Sequence, residues 1–143
     1  MHIHVRSDDE SSSSNPDRFA GVQAGVRKHC PGMIVQLSTG GRGRDPAARG
    51  LALIHRPDMA SLSTGSTNFP MIVYENPAGF VLDLASRMKQ LGIALEIEIF
   101  DLSHIHGAKR LIDAGLMSPR PHIQFVMASR MHSRQTSIYS IFS

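Results

Sequence analysis

The sequence has one cysteine, Cys30, and no tryptophan in 143 residues. A lone cysteine excludes an internal disulfide framework and agrees with a reducing compartment, so a cytoplasmic protein is expected. No apolar run approaches the roughly 20 residues that carry a helix across a bilayer. No charged leader followed by an apolar block is visible either. Neither a membrane partner nor a secretory route is therefore expected. Aromatic residues are only 6%, and the 15 lysines and arginines are scattered rather than clustered. Nucleic-acid binders gather basic side chains into patches, often with aromatics between them. The net charge of +3 and the pI near 9.5 thus describe a mildly basic protein without a nucleic-acid partner. With 41% hydrophobic and 19% charged residues, the chain has the composition of one globular domain.

What is present is a rhythm of strands and helices. "HIHVR" reads as a short strand, and the polar loop "SDDESSSSN" follows it. Asn15-Pro16 pairs an N-cap with proline at the first helical position, opening a helix that stops near Pro31-Gly32. "MIVQLS" (33–38) is a second strand, closed by the loop "TGGRGR". Asp45-Pro46 repeats the capping device and opens a helix through about Arg56, and "DMASLS" (58–63) is the third strand. "TGSTNFP" is a loop and "MIVYENP" a short extended piece. A helix over 78–91 then ends on Gly92, a suitable left-handed cap. "ALEIEIFD" (94–101) is a strand, Ser103 caps a helix running to Gly115, and "PHIQFVM" (121–127) is the fifth strand. This alternation with short connections is the signature of parallel βαβ units. Strands apolar on both faces need cover on both sides, as in an open five-stranded sheet or part of a closed eight-stranded barrel. Residues 128–143, "ASRMHSRQTSIYSIFS", carry neither a cap nor a helical period and read as an irregular, frame-shifted tail.

Polar groups recur at the carboxyl ends of successive strands, the edge where parallel α/β folds bind ligands. His2 and His4 alternate along a strand, so both imidazoles share a face and suit a divalent cation. Hydrogen-bonded or exposed strand histidines give the same spacing. In "STGG", Ser38, Thr39, Gly40 and Gly41 can turn hydroxyls and N–H groups toward an anion, although an ordinary glycine loop looks alike. Thr64 and Ser66 in "TGSTNF" have the same potential. Glu96 and Glu98 share one strand face, where burial is expensive unless they are paired or cation-bound, or the strand is a wet edge. His104 and His106 form a second HxH, but on a helix two residues diverge by about 200° and make poor joint ligands. Cys30 sits at a helix end with no partner that would activate it.

In that order, "HIHVR", "LSTGG", "RPDMASLSTGSTNF", "VYENP", "EIEIFD" and "PHIQFVM" resemble the β-keto acid cleavage enzyme family, best known for cleaving 3-keto-5-aminohexanoate. The likeness covers roughly residues 1–127. It implies a (β/α)8 TIM-type barrel, of which about strands two to six of eight are represented. It further implies one zinc ion, acetyl-CoA as co-substrate, and a homo-oligomer, commonly a tetramer. By position, His2 and His4 would be zinc ligands and Ser38 the catalytic hydroxyl. Thr39, Gly40, Gly41, Thr64 and Ser66 would line the substrate site, and Glu98 would meet the distal group of the keto acid. The family also carries an Arg-x-x-x-Glu-Asp stretch that supplies the third ligand and the base, and none occurs after residue 101. The expectation is therefore a fragment that is inactive alone. Two rivals remain: a metal-dependent amidohydrolase-like barrel, which also opens on HxH, and a non-catalytic remnant or split subunit. His122 does not help the first, because it stands at the amino end of its strand.

Overall fold

A computed structural model of the chain describes residues 1–127. The residue 128–143 tail lies outside the described residues. Five parallel strands form the main sheet, in the order β1 (His2–Ile3), β4 (Gln36–Leu37), β5 (Met59–Ser63), β8 (Ala94–Ile99) and β9 (His122–Phe125). Two small antiparallel ribbons sit at its carboxyl edge. One pairs β2 (Val5–Arg6) with β3 (Ser12–Ser13), and the other pairs β6 (Thr67–Phe69) with β7 (Ile72–Tyr74). The helices are α1 (Pro16–His29), α2 (Pro46–Arg49), α3 (Ala78–Leu91) and α4 (Ser103–Asp113).

Local chemistry explains the boundaries. The Asn15 side chain accepts from the N–H groups of Asp17 and Arg18, and Asp45 accepts from Ala47, satisfying donors that a helix start leaves open. Gly92 closes α3 in the left-handed region at φ 71°. The helix expected over 46–56 instead breaks at Gly50 into α2 and a 3-10 turn over Leu51–His55. A Cβ at Gly50 would meet Leu84 Cδ2 at 2.5 Å, so α3 packs directly onto the break. Asp101 rather than Ser103 serves the start of α4, its Oδ1 accepting from the Ser103 N–H at 2.8 Å. The piece expected at "MIVYENP" is the second arm of a hairpin, because β6 supplies it with a partner.

The register separates the two faces of the sheet. Gln36 pairs with Met59, Ser61 with Glu96, and Glu96 with His122. Neighbours in register share a face, so His2, Gln36, Ser61, Ser63, Glu96, Glu98, His122 and Gln124 all point inward. The opposite face carries Ile3, Leu37, Ala60, Leu62, Ile97 and Ile99, buried beneath the helices. This corrects the expectation of two apolar faces: one is apolar and helix-covered, the other polar. Val81, Leu84, Ala85 and Met88 supply the α3 side of the core, at the spacing of a single helical stripe. Among the described residues, no helix is long and apolar enough to cross a membrane.

Candidate active site

The inner face and the loops at its carboxyl edge enclose a cavity of about 810 Å³. His2, His4, Ser38, Gly40, Gly41 and Glu98 line it. Thr39, Thr64 and Ser66 do not. The Thr39 hydroxyl donates to the Ser61 carbonyl at 2.6 Å, and the Thr64 hydroxyl donates to the His104 carbonyl at 2.6 Å. Ser66 Oγ accepts from the Asn76 N–H at 2.8 Å. These three side chains brace the wall from behind.

His2 and His4 place their Nε2 atoms 3.1 Å apart. Two nitrogens on one tetrahedral zinc, each at ~2.0–2.1 Å, lie about 3.3 Å from each other. The pair therefore fits two adjacent positions around a single ion. Burial, the neighbouring His2 and the arginines 44, 6 and 42 hold His4 below its ordinary pKa, which favours the neutral imidazole that a metal requires. Among the described residues no group of three histidine, cysteine or acidic side chains could complete a metal site.

Ser38 is buried and its Oγ accepts from the Gly40 N–H at 3.0 Å, leaving its own O–H to donate. Burial pushes the Glu98 carboxyl above its ordinary range. Glu96 adds to the shift, while His2 and Arg49 oppose it. Deeper in the cavity, Glu96 Oε2 lies 3.0 Å from His122 Nε2, while Glu96 Oε1 and Gln36 Nε2 are buried without a partner among the described residues. His122 does begin its strand, yet this pair makes it part of the cavity floor.

Phe69, Tyr74, Phe100 and Arg49 carry the site without a signal in the sequence, and His104, a poor metal ligand by its helical spacing, carries it through burial. Phe69, Tyr74 and Phe100 form an edge-to-face trio along one wall, with centroids 6.0–6.4 Å apart. Arg49 is buried beneath the Ser38 loop. It donates to the carbonyls of Thr39 and Glu75, to the Tyr74 hydroxyl and to Asn76 Oδ1. Its side chain also stacks over Tyr74 and Phe80. His104 is fully buried behind the opposite loop. With Nδ1 unprotonated, it accepts from the Phe100 N–H at 3.4 Å and turns Nε2–H toward Thr67 Oγ1 at 3.3 Å. A Cβ at Gly65 would meet its ring at 2.8 Å, so glycine is needed there for the close approach.

A family model described as beta-keto acid cleavage enzyme matches residues 1–141. The chain belongs to this family. Among curated β-keto acid cleavage enzymes and their relatives, the 3-oxoadipate:acetyl-CoA acetyltransferase of Cupriavidus necator is 56% identical over 127 residues, covering 89% of this chain and 45% of the relative. A 3-keto-5-aminohexanoate cleavage enzyme of Acetoanaerobium sticklandii is 33% identical over 129 residues, covering 89% and 47%. The chain spans about half the length of the curated relatives it matches. Among solved structures, ObcA bound to oxaloacetate superimposes with a TM-score of 0.72 at 22% identity, over 80% of this chain and 30% of that one. The fold is thus a mixed α/β arrangement with a parallel sheet, consistent with part of a barrel.

Proposed function

We propose that this site is the keto-acid-binding part of an enzyme that cleaves a β-keto acid with acetyl-CoA, giving acetoacetate and a new acyl-CoA, the 143-residue chain being inactive alone. The observation that carries the reading is one cavity bringing together the His2–His4 pair, the Ser38–Gly41 loop and Glu98. His2 and His4 would hold zinc as two of its protein ligands, and a bound zinc ion acts as a Lewis acid that polarises the keto oxygen. Ser38, fixed by the Gly40 N–H, donates its hydroxyl proton to the substrate carboxylate. Gly40 and Gly41 let the backbone approach that carboxylate closely. Glu98 faces the far end of the substrate, where its raised pKa suits hydrogen bonding to a polar group. The aromatic wall of Phe69, Tyr74 and Phe100 excludes water from the reacting carbons. The named substrates of the relatives share the β-keto acid end and differ beyond it, one with a second carboxylate and one with an amine. A cytoplasmic location and a homo-oligomer complete this reading, the former supported by the single cysteine.

Calorimetry on the 143-residue chain tests it with zinc and a 3-oxo acid. Zinc binding should disappear in His2→Ala and His4→Ala variants, and 3-oxo acid binding should weaken about tenfold or more in Ser38→Ala. Zinc binding indifferent to both histidines, or acid binding indifferent to Ser38, overturns the proposal.

A further inference from the structure

Tyr74 ends β7, is 4% exposed, and lines the cavity beside Phe69 and Phe100. A wall that only excludes water has no use for its hydroxyl. Arg49 Nη2 donates to Tyr74 Oη at 3.0 Å, and the guanidinium carbon lies 4.8 Å from the ring centroid. Accepting that bond leaves the phenolic proton to be given elsewhere. Among the described residues no acceptor takes it. Burial pushes the Tyr74 hydroxyl above its ordinary pKa, with Arg49 opposing, so the proton is in place at neutral pH.

Gly40 shows where that hydroxyl stands. A Cβ built on Gly40 would sit 3.0 Å from Ser38 Oγ and 3.6 Å from Tyr74 Oη. The two hydroxyls therefore flank one gap, which exists because residue 40 has no side chain. Ser38, Gly40 and Tyr74 all line the cavity. Arg49 stands behind, buried and without an ion pair among the described residues. Its remaining donors go to the Thr39 and Glu75 carbonyls and to Asn76 Oδ1. A hydrogen bond accepted from a buried cation polarises the O–H that accepts it, and so makes the phenol a better donor.

We propose that the Tyr74 hydroxyl is a second donor to the substrate carboxylate, taking one oxygen while Ser38 holds the other, with Arg49 as the positioning residue behind it. The inference rests on the function proposed above, which seats that carboxylate at Ser38. Donors on two separate elements, the Ser38 loop and β7, fix the plane of the carboxylate. One rotatable hydroxyl does not. Hydrogen bonds to an ionised acceptor are stronger than neutral ones, and a hydroxyl already held by Arg49 needs little reordering on binding.

Calorimetry on the full chain in zinc buffer compares wild type with Tyr74→Phe, using 3-oxohexanoate. The variant keeps the ring and loses only the donor. Its affinity for the acid should fall about tenfold, with zinc affinity and the circular dichroism spectrum unchanged. A second measurement needs no variant. The sequence has no tryptophan, so tyrosine dominates the near-ultraviolet absorbance. A phenol that begins to donate to an anion shifts to longer wavelength, so saturating wild type with the acid should give a red shift that Tyr74→Phe lacks. Equal acid affinity in the two proteins, or a red shift that persists in the variant, overturns the role of Tyr74 and leaves the site reading intact. An affinity loss with no red shift in wild type means that the hydroxyl acts only by holding Arg49, which overturns it too. Should Tyr74→Phe fail to fold, the wild-type spectrum decides: a red shift supports the donor and its absence overturns it. Failure of the acid to bind wild type overturns this inference together with the reading it rests on.

Discussion

At the scale of single residues, the buried His104 and the half-buried Glu98 each give a measurable prediction. His104 has no exposed surface and touches Thr67, the Phe100 backbone and the close-packed Gly65, three points on two different loops. Truncation to alanine removes the ring and strands its partners, so His104→Ala should destabilise by about 2–4 kcal/mol in urea unfolding. A loss under half a kcal/mol would show that the loops hold without it. Glu98 predicts a pH dependence. Its folded pKa is raised, so between the unfolded and folded pKa values the native state binds more protons than the unfolded chain. Stability should therefore fall as pH rises from the ordinary carboxylate range through the raised value, and Glu98→Gln should flatten that slope and be the more stable form at neutral pH. Unfolding midpoints across pH check this, and a slope unchanged in the variant refutes it.

Elements differ in how far the sequence disclosed them. The starts of α1 and α2 were legible because a capping side chain beside proline is local chemistry, and the apolar stripe of α3 shows in the spacing of four residues. His2, His4, Ser38, Gly40, Gly41 and Glu98 were legible by alternation and position, and the fold does gather them in one cavity. The polarity of the inner face as a whole was not legible, because alternation sorts the residues within "MIVQLS" and within "ALEIEIFD" but does not say which face of one strand continues into which face of the next until the register is known. Thr39, Thr64 and Ser66 show a similar limit: a hydroxyl beside a glycine serves a ligand or a carbonyl equally well. Arg49 was invisible since its partners lie 10 to 27 residues away, and the role of His104 was hidden because Thr67 and Ser63, which meet its ring, lie 37 and 41 residues away. Close helix packing was hidden too, and it can be tested. A Cβ at Gly107 in α4 would meet the Thr64 carbonyl oxygen at 2.3 Å, whereas one at Gly21 in α1 meets nothing within 4 Å. Gly107→Ala should therefore cost about 1–3 kcal/mol, while Gly21→Ala should gain roughly 0.5–1 kcal/mol from helix propensity. Thermal melts of both variants decide it, and equal effects of one sign would contradict the packing.

At the scale of the whole molecule, the sheet formed by the described residues is open. Among the described residues β1 and β9 are its edges, and all four residues of β9 are exposed. In a closed barrel each edge strand is paired, which removes the unpaired N–H and C=O groups that otherwise template association. Here Ile123 and Phe125, with Met127 beyond them, leave 40–60% of their surfaces in water on the face that elsewhere carries the helix-covered core. Apolar side chains beside an open strand edge favour pairing with a second copy. Sedimentation velocity of the 143-residue chain should therefore show association that rises with concentration. Ile123→Lys/Phe125→Lys should shift it to monomer, because lysine on an edge strand opposes pairing by charge while leaving the strand's backbone bonds to β8 intact. The same variant should retain its zinc binding, since His2 and His4 lie on the opposite edge of the sheet. A wild-type chain that stays monomeric as concentration rises, or a double variant that associates as strongly as wild type, would remove β9 as the contact.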